Sequence, residues 1–198
     1  MVIIATAMDL AAQSQAAFSI NYTQTGDSGS FPSSGVTATG TINVDGSGNA
    51  INGTLDVSGA VPSGLSGSYT LVAGNGVNSS SQFSYDSLVN TASPGGQFLT
   101  SSGGLLFVDA AGDQMNLWYN TAAVNYSFAT PPNVIQPAGS YSLWGWQTGA
   151  GQNNDYTQTF GIATLSSAAV PEPGTYGALA GAGLFLVSLR NKFGRKQA

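Results

Sequence analysis

The chain has 198 residues, with nine acidic side chains, four basic ones, no histidine and no cysteine, for a formal charge of −5. The missing cysteine and histidine exclude disulfide staples, Ser–His triads, thiol nucleophiles and ordinary zinc sites. All four cations, Arg190, Lys192, Arg195 and Lys196, lie in the last nine positions, so the chain before them carries only acids and is unsuited to nucleic acid or phosphate.

Residues 1–17 read MVIIATAMDLAAQSQAA. Val2–Met8 is a short apolar run, and Ser14-Gln15-Ala16 resembles a small-x-small cleavage site before Ala17 or Phe18. No positive charge precedes the run and Asp9 interrupts it, so the stretch reads as a partial or atypical signal peptide. Either its basic start lies upstream or the signal is a poor one. Residues 18–167 are then expected to form a β-rich exported domain. About 150 residues are enough for one core, burying roughly 70% of the unfolded surface.

The clearest local pattern is at Val36–Val44, where Val36, Ala38, Gly40, Ile42 and Val44 alternate with Thr37, Thr39, Thr41 and Asn43. Asp45-Gly46-Ser47-Gly48-Asn49 turns the chain, and Ile51, Gly53, Leu55 and Val57 return the apolar face. That pattern predicts a β-hairpin. Further strands are expected at 17–24, 67–73, 81–88, 97–100, 105–108, 114–119, 124–128, 141–147 and 156–165. Leu105-Leu106-Phe107-Val108 is apolar throughout, as a strand buried on both faces would be. Pro131-Pro132 and Pro137 mark a loop, and no segment of the body shows a helical period. About ten short strands separated by turn signals predict an all-β, two-sheet, sandwich-like domain.

Candidate chemistry is sparse. The body holds only Asp27, Asp45, Asp56, Asp86, Asp109, Asp113 and Asp155 as charged groups. Two aspartates at a suitable separation would make a glycosidase pair, and an Asp-dependent hydrolase is the weakest of the readings. Asp45 with Asn49, or Asp109 with Asp113, would offer oxygen ligands to calcium, although aspartate in such turns ordinarily bonds its own backbone. Neither a resident metal nor another cofactor is expected.

Aromatic residues gather at Trp118-Tyr119 and at Tyr141, Trp144 and Trp146. Alternation puts Trp144 and Trp146 on one face and Tyr141, Leu143 and Gly145 on the other. Exposed tryptophans among amide and hydroxyl side chains suit sugar rings, whereas buried ones would be ordinary core. Thr37, Thr39 and Thr41 set three hydroxyls along one strand face at about 6.6–6.8 Å spacing. Such ladders occur on ice-binding faces and equally on plain solvated strands, and one ladder falls short of a flat multi-strand array.

The C-terminus begins with a linker, residues 168–173, containing Pro171, Glu172 and Pro173. Residues 174–189 are uncharged, with Leu179, Leu184, Phe185, Leu186, Val187 and Leu189 supplying the apolar drive, and the basic residues 190–198 follow. Sixteen residues make about 24 Å of helix against a hydrocarbon core of roughly 30 Å. Six large apolar side chains supply roughly −2 to −4 kcal/mol, which suits a transient transmembrane helix with a cytoplasmic basic stop at Arg190, Lys192, Arg195 and Lys196.

The order of tripeptide, apolar span and basic end at the extreme C-terminus resembles the PEP-CTERM sorting tail of bacterial exported proteins. The resemblance covers about the last 30 residues. It implies passage through the secretion machinery, an inner-membrane-anchored precursor, and processing near the tripeptide by a membrane-embedded exosortase. Delivery to the cell surface or the extracellular matrix would follow, with a role linked to exopolysaccharide or biofilm. For the body, the expectation is a non-enzymatic protein, with carbohydrate binding through Trp118, Trp144 and Trp146 as the alternative and ice binding a remoter one.

Overall fold

A computed structural model describes residues 15–27, 34–61, 65–77, 84–93, 96–99, 103–126, 134–148 and 156–167. The expected transmembrane helix, its basic stop, the PEP tripeptide and most of the signal segment lie outside these residues. Among the described residues, no helix is long and apolar enough to cross a membrane.

Twelve strands form among the described residues, most of them where alternation or a short apolar run favours extended backbone, and β5 and β10 where no strand was expected. They are β1 (Ala16–Asp27), β2 (Ser34–Val44), β3 (Ala50–Ala60), β4 (Gly67–Val72), β5 (Gly76–Val77) and β6 (Ser84–Tyr85). Then come β7 (Leu105–Val108), β8 (Gln114–Tyr119), β9 (Val124–Tyr126), β10 (Val134–Gln136), β11 (Tyr141–Trp146) and β12 (Tyr156–Ser167). Strand β1 starts at Ala16, one residue before the strand expected at 17–24 and one or two before the expected cleavage point, and it runs on to Asp27. Over its described residues, 97–99, the strand predicted at 97–100 does not form; Leu99 makes only an isolated bridge to Val89.

Eight of these strands close into a barrel in the order β1-β12-β11-β8-β7-β4-β3-β2, corrected from the two-sheet sandwich expected above. Every neighbouring pair is antiparallel, so the chain runs up and down around the ring. The closing step pairs the first strand with the last, from Phe18 with Ser167 to Asp27 with Thr159. A sandwich would leave edges; here each backbone edge is used up by a neighbour. The hairpins β5–β6 and β9–β10 are excursions from the ring.

Alternation decides what fills the barrel. Ile20 and Tyr22 of β1, Leu55 of β3, Tyr69 of β4, Phe107 of β7, Met115 and Leu117 of β8 and Leu143 of β11 are all fully buried. An eight-strand barrel has an interior just wide enough for side chains, and these occupy it. One end, where β2 turns into β3, is plugged by Val89, Phe98 and Leu99, and Leu65 packs into the interior towards the other end beside Met115 and Gly145. Phe98 stacks on Tyr141 at 4.7 Å, and the Tyr141 hydroxyl accepts from Phe98 N (2.9 Å) and donates to Gly96 O (2.6 Å). Ser87 anchors the same plug, with its carbonyl accepting from Ala50 N, and holds a left-handed φ of 53° to do so. The expected double burial of β7 also holds. Leu105 and Phe107 face the interior, and Leu106 faces out yet is only 3% exposed.

Burial acts strongly on the interior tyrosines. Tyr22 donates to Thr159 Oγ1 (2.7 Å), which in turn donates to Leu143 O (3.2 Å), and desolvation still raises its hydroxyl well above the usual tyrosine range. Tyr69, bonded to Leu65 O (2.8 Å), is raised likewise, and burial pushes Tyr141 up to about 12.

Candidate functional site

The pairing of β8 with β11 decides which face each tryptophan takes. Tyr141, Leu143 and Gly145 point inward and are buried, so Trp144 and Trp146 point outward and are half-buried. On β8, Met115, Leu117 and Tyr119 face in, leaving Asn116 and Trp118 on the outer wall. Trp118 and Trp144 meet edge to face, with ring centroids 5.0 Å apart and planes at 69°. Of the residues predicted to contact glycan, the structure therefore packs two together, and Trp146 lies two positions further along β11.

Polar side chains hold Trp118 in place. Trp118 Nε1 donates to Asn120 Oδ1 (3.1 Å), and Asn120 Nδ2 donates to Ser140 Oγ (3.0 Å) and Ser142 Oγ (2.8 Å). Asn116 Nδ2 donates to Ser84 O (3.2 Å), while its Oδ1 is buried and accepts from no described residue. The alternation of β11 showed that Trp144 and Trp146 share a face. The apolar partners Leu143 and Tyr141 on the opposite face settle that this face is outside.

Asp45, Asn49 and Asp109 are engaged within their own turns, and Asp113 bonds across to Thr148. Asp45 Oδ1 accepts from Ser47 N (2.8 Å), Asn49 N (2.9 Å) and Asn49 Nδ2 (3.3 Å). The backbone and side-chain bonds from Asn49 hold the Asp45 carboxyl below the usual range. Asp109 Oδ1 accepts from Ala111 N (2.9 Å) and Asp113 N (2.8 Å), and Asp113 Oδ1 accepts from Thr148 N (2.7 Å). The Asp45 and Asp109 carboxylates cap their own turns, and the Asp113 carboxylate ties its turn to Thr148. Among the described residues no group of three or more acids gathers.

The threonine ladder of β2 is on the outer wall, opposite the tryptophans in the ring. Thr37 Oγ1 bonds Ser58 Oγ (2.8 Å), and Thr41 Oγ1 lies 3.5 Å from Thr54 Oγ1. The ladder continues sideways, because Ser19, Thr41, Thr54 and Thr70 align across β1–β4, as do Asn21, Thr39, Asp56 and Ser68. Sequence reading missed these neighbours. Each strand showed its polar face, but only the register shows that the faces adjoin.

Neither a curated protein nor a solved structure matches the chain. Residues 169–196 match the PEP-CTERM protein-sorting motif, and the C-terminal tail, with Pro171, Glu172 and Pro173 at its head, is therefore an exosortase-targeted sorting signal.

Proposed function

We propose that this chain is a non-enzymatic β-barrel that its tail delivers to the cell surface or extracellular matrix, where it serves in an exopolysaccharide setting. The sorting motif at 169–196 carries the reading, because it marks an exported, exosortase-processed protein. The segregation of charge supports an anchored precursor: 17 uncharged residues separate Glu172 from Arg190, and every cation lies beyond them. A non-enzymatic body is favoured by its composition, by the use of Asp45 and Asp109 as turn caps, and by the bond that Asp113 accepts from Thr148 N. Changing Glu172→Ala in a strain with a matching exosortase should leave an uncut, membrane-bound precursor. Normal processing of that variant would contradict the assignment of the tripeptide.

A second reading assigns glycan contact to the outer wall at Trp118, Trp144 and Trp146. What favours it is that the strands turn three tryptophans away from the interior, among Asn, Gln and Ser side chains. Retention of the protein on the host's exopolysaccharide should then weaken on Trp146→Ala and be nearly independent of salt, since no basic group releases counterions. Retention that falls steeply with salt would contradict it.

A further inference from the structure

The hydroxyl wall contains a depression of about 300 Å³ that the tail and the tryptophans leave unexplained. It is lined by Ser19 and Asn21 of β1, Thr39 and Thr41 of β2, and Thr54 and Asp56 of β3, with Ile20 and Gly40 beneath. These six side chains form two adjoining rows, Ser19-Thr41-Thr54 and Asn21-Thr39-Asp56. Neighbours across the strands lie about 4.8 Å apart, and the rows lie about 6.7 Å apart. The side chains of Ser19, Asn21 and Thr39 make no hydrogen bond among the described residues, and those of Asn21 and Thr39 are exposed while Ser19 is half-buried. Asp56 accepts from Ser68 through one oxygen and keeps its other oxygen available.

We propose that this depression binds a single neutral sugar ring of a polysaccharide, at a site separate from the aromatic wall. Its volume is at the lower end of ligand pockets and fits one ring rather than a larger ligand. Its chemistry narrows the class. No cation lies among the described residues, which disfavours an anionic ligand, and no aromatic face is present to hold an apolar one. A single carboxylate, already bonded to Ser68, is too little for a divalent cation. Hydroxyls both donate and accept, and an ionised carboxylate only accepts. A ring bearing hydroxyls on successive carbons can donate to the Asp56 carboxylate and exchange bonds with the neighbouring Thr39, Thr41 and Asn21 side chains.

The test uses the full chain in polyoxyethylene micelles, which carry no sugar headgroup, and follows backbone amides by 15N NMR. The probes are methyl β-D-glucoside, methyl β-D-galactoside, methyl α-D-mannoside and calcium chloride, added separately. At least one glycoside should give saturable shifts at residues 19–21, 39–41 and 54–56. The paired substitution Thr39→Val and Thr41→Val, which keeps shape and β-propensity, should weaken binding roughly tenfold, as losing two or three hydrogen bonds would. Asp56→Asn should weaken it as well, and Trp144→Ala should leave it within about twofold. The proposal is overturned if no glycoside shifts these amides at about 50 mM, if calcium alone shifts them, or if the valine pair binds unchanged. Shifts lost only with Trp144→Ala would also overturn it, while supporting the aromatic wall.

Discussion

On one side of the barrel, β7, β8 and β11 turn Leu106, Asn116, Trp118, Ser142 and Trp144 outward, and all five are half or fully buried. Across the ring, β1, β2 and β3 turn out Asn21, Thr39, Thr41, Thr54 and Asp56, and all five are exposed. Both walls rest on the same antiparallel ladder and the same packed interior. The difference lies in what covers them: Asn116 sits under the segment of Ser84, to which it bonds, and Leu106 beside it is buried, whereas the hydroxyl wall is exposed. A barrel wall can thus act as a second core on one side and as a polar surface on the other. The contrast predicts unequal responses to mutation, pH and ligands.

The largest response should come from what the walls share. Tyr22 lies behind the hydroxyl wall, Tyr141 behind the aromatic one, and burial raises both hydroxyls. A raised folded-state pKa favours the folded state fully below the unfolded value of about 10, and that contribution is lost as pH rises through about 12. Fluorescence-monitored unfolding should therefore show stability falling between about pH 10 and 12. With no histidine, cysteine, lysine or arginine in residues 18–167, it should be flat from about pH 6 to 9. A transition near pH 7 would contradict this packing of the interior.

Mutations should then separate the walls. Leu106→Ala should cost about 2–5 kcal/mol in thermal or denaturant unfolding, although Leu106 points away from the barrel interior. Trp118→Ala removes a half-buried ring and its edge-to-face partner, and should cost about 2 kcal/mol. Thr54→Ser on the exposed wall should stay within about 0.5 kcal/mol. Equal costs on the two walls would abolish the distinction.

The same contrast shows how much was legible in the sequence. Strands β7 and β8 fall at the expected residues, because alternation and apolar runs are local signals. Closure was not legible, since nothing near Phe18 or Ser167 states that they pair across nearly the whole domain. Phe98 and Leu99 looked like a strand because they are apolar; they are apolar because they plug the barrel. For Trp144 and Trp146 the alternation gave a shared face, and only the burial of Tyr141 and Leu143 assigned it to the outside. The polar rows needed register, which couples β1, β2 and β3 at positions far apart in the chain. The tail was fully legible, because its signal lies in a contiguous order of tripeptide, apolar span and basic end.

The central claim is that the tail sorts this barrel and is removed in doing so, and intact-mass measurement of the mature protein tests it most directly. From cells with a matching exosortase, the mass should lack residues 179–198, including all four cations. From cells without the exosortase, the membrane fraction should hold protein that still ends at Ala198. Protein ending at Ala198 in both would contradict the account.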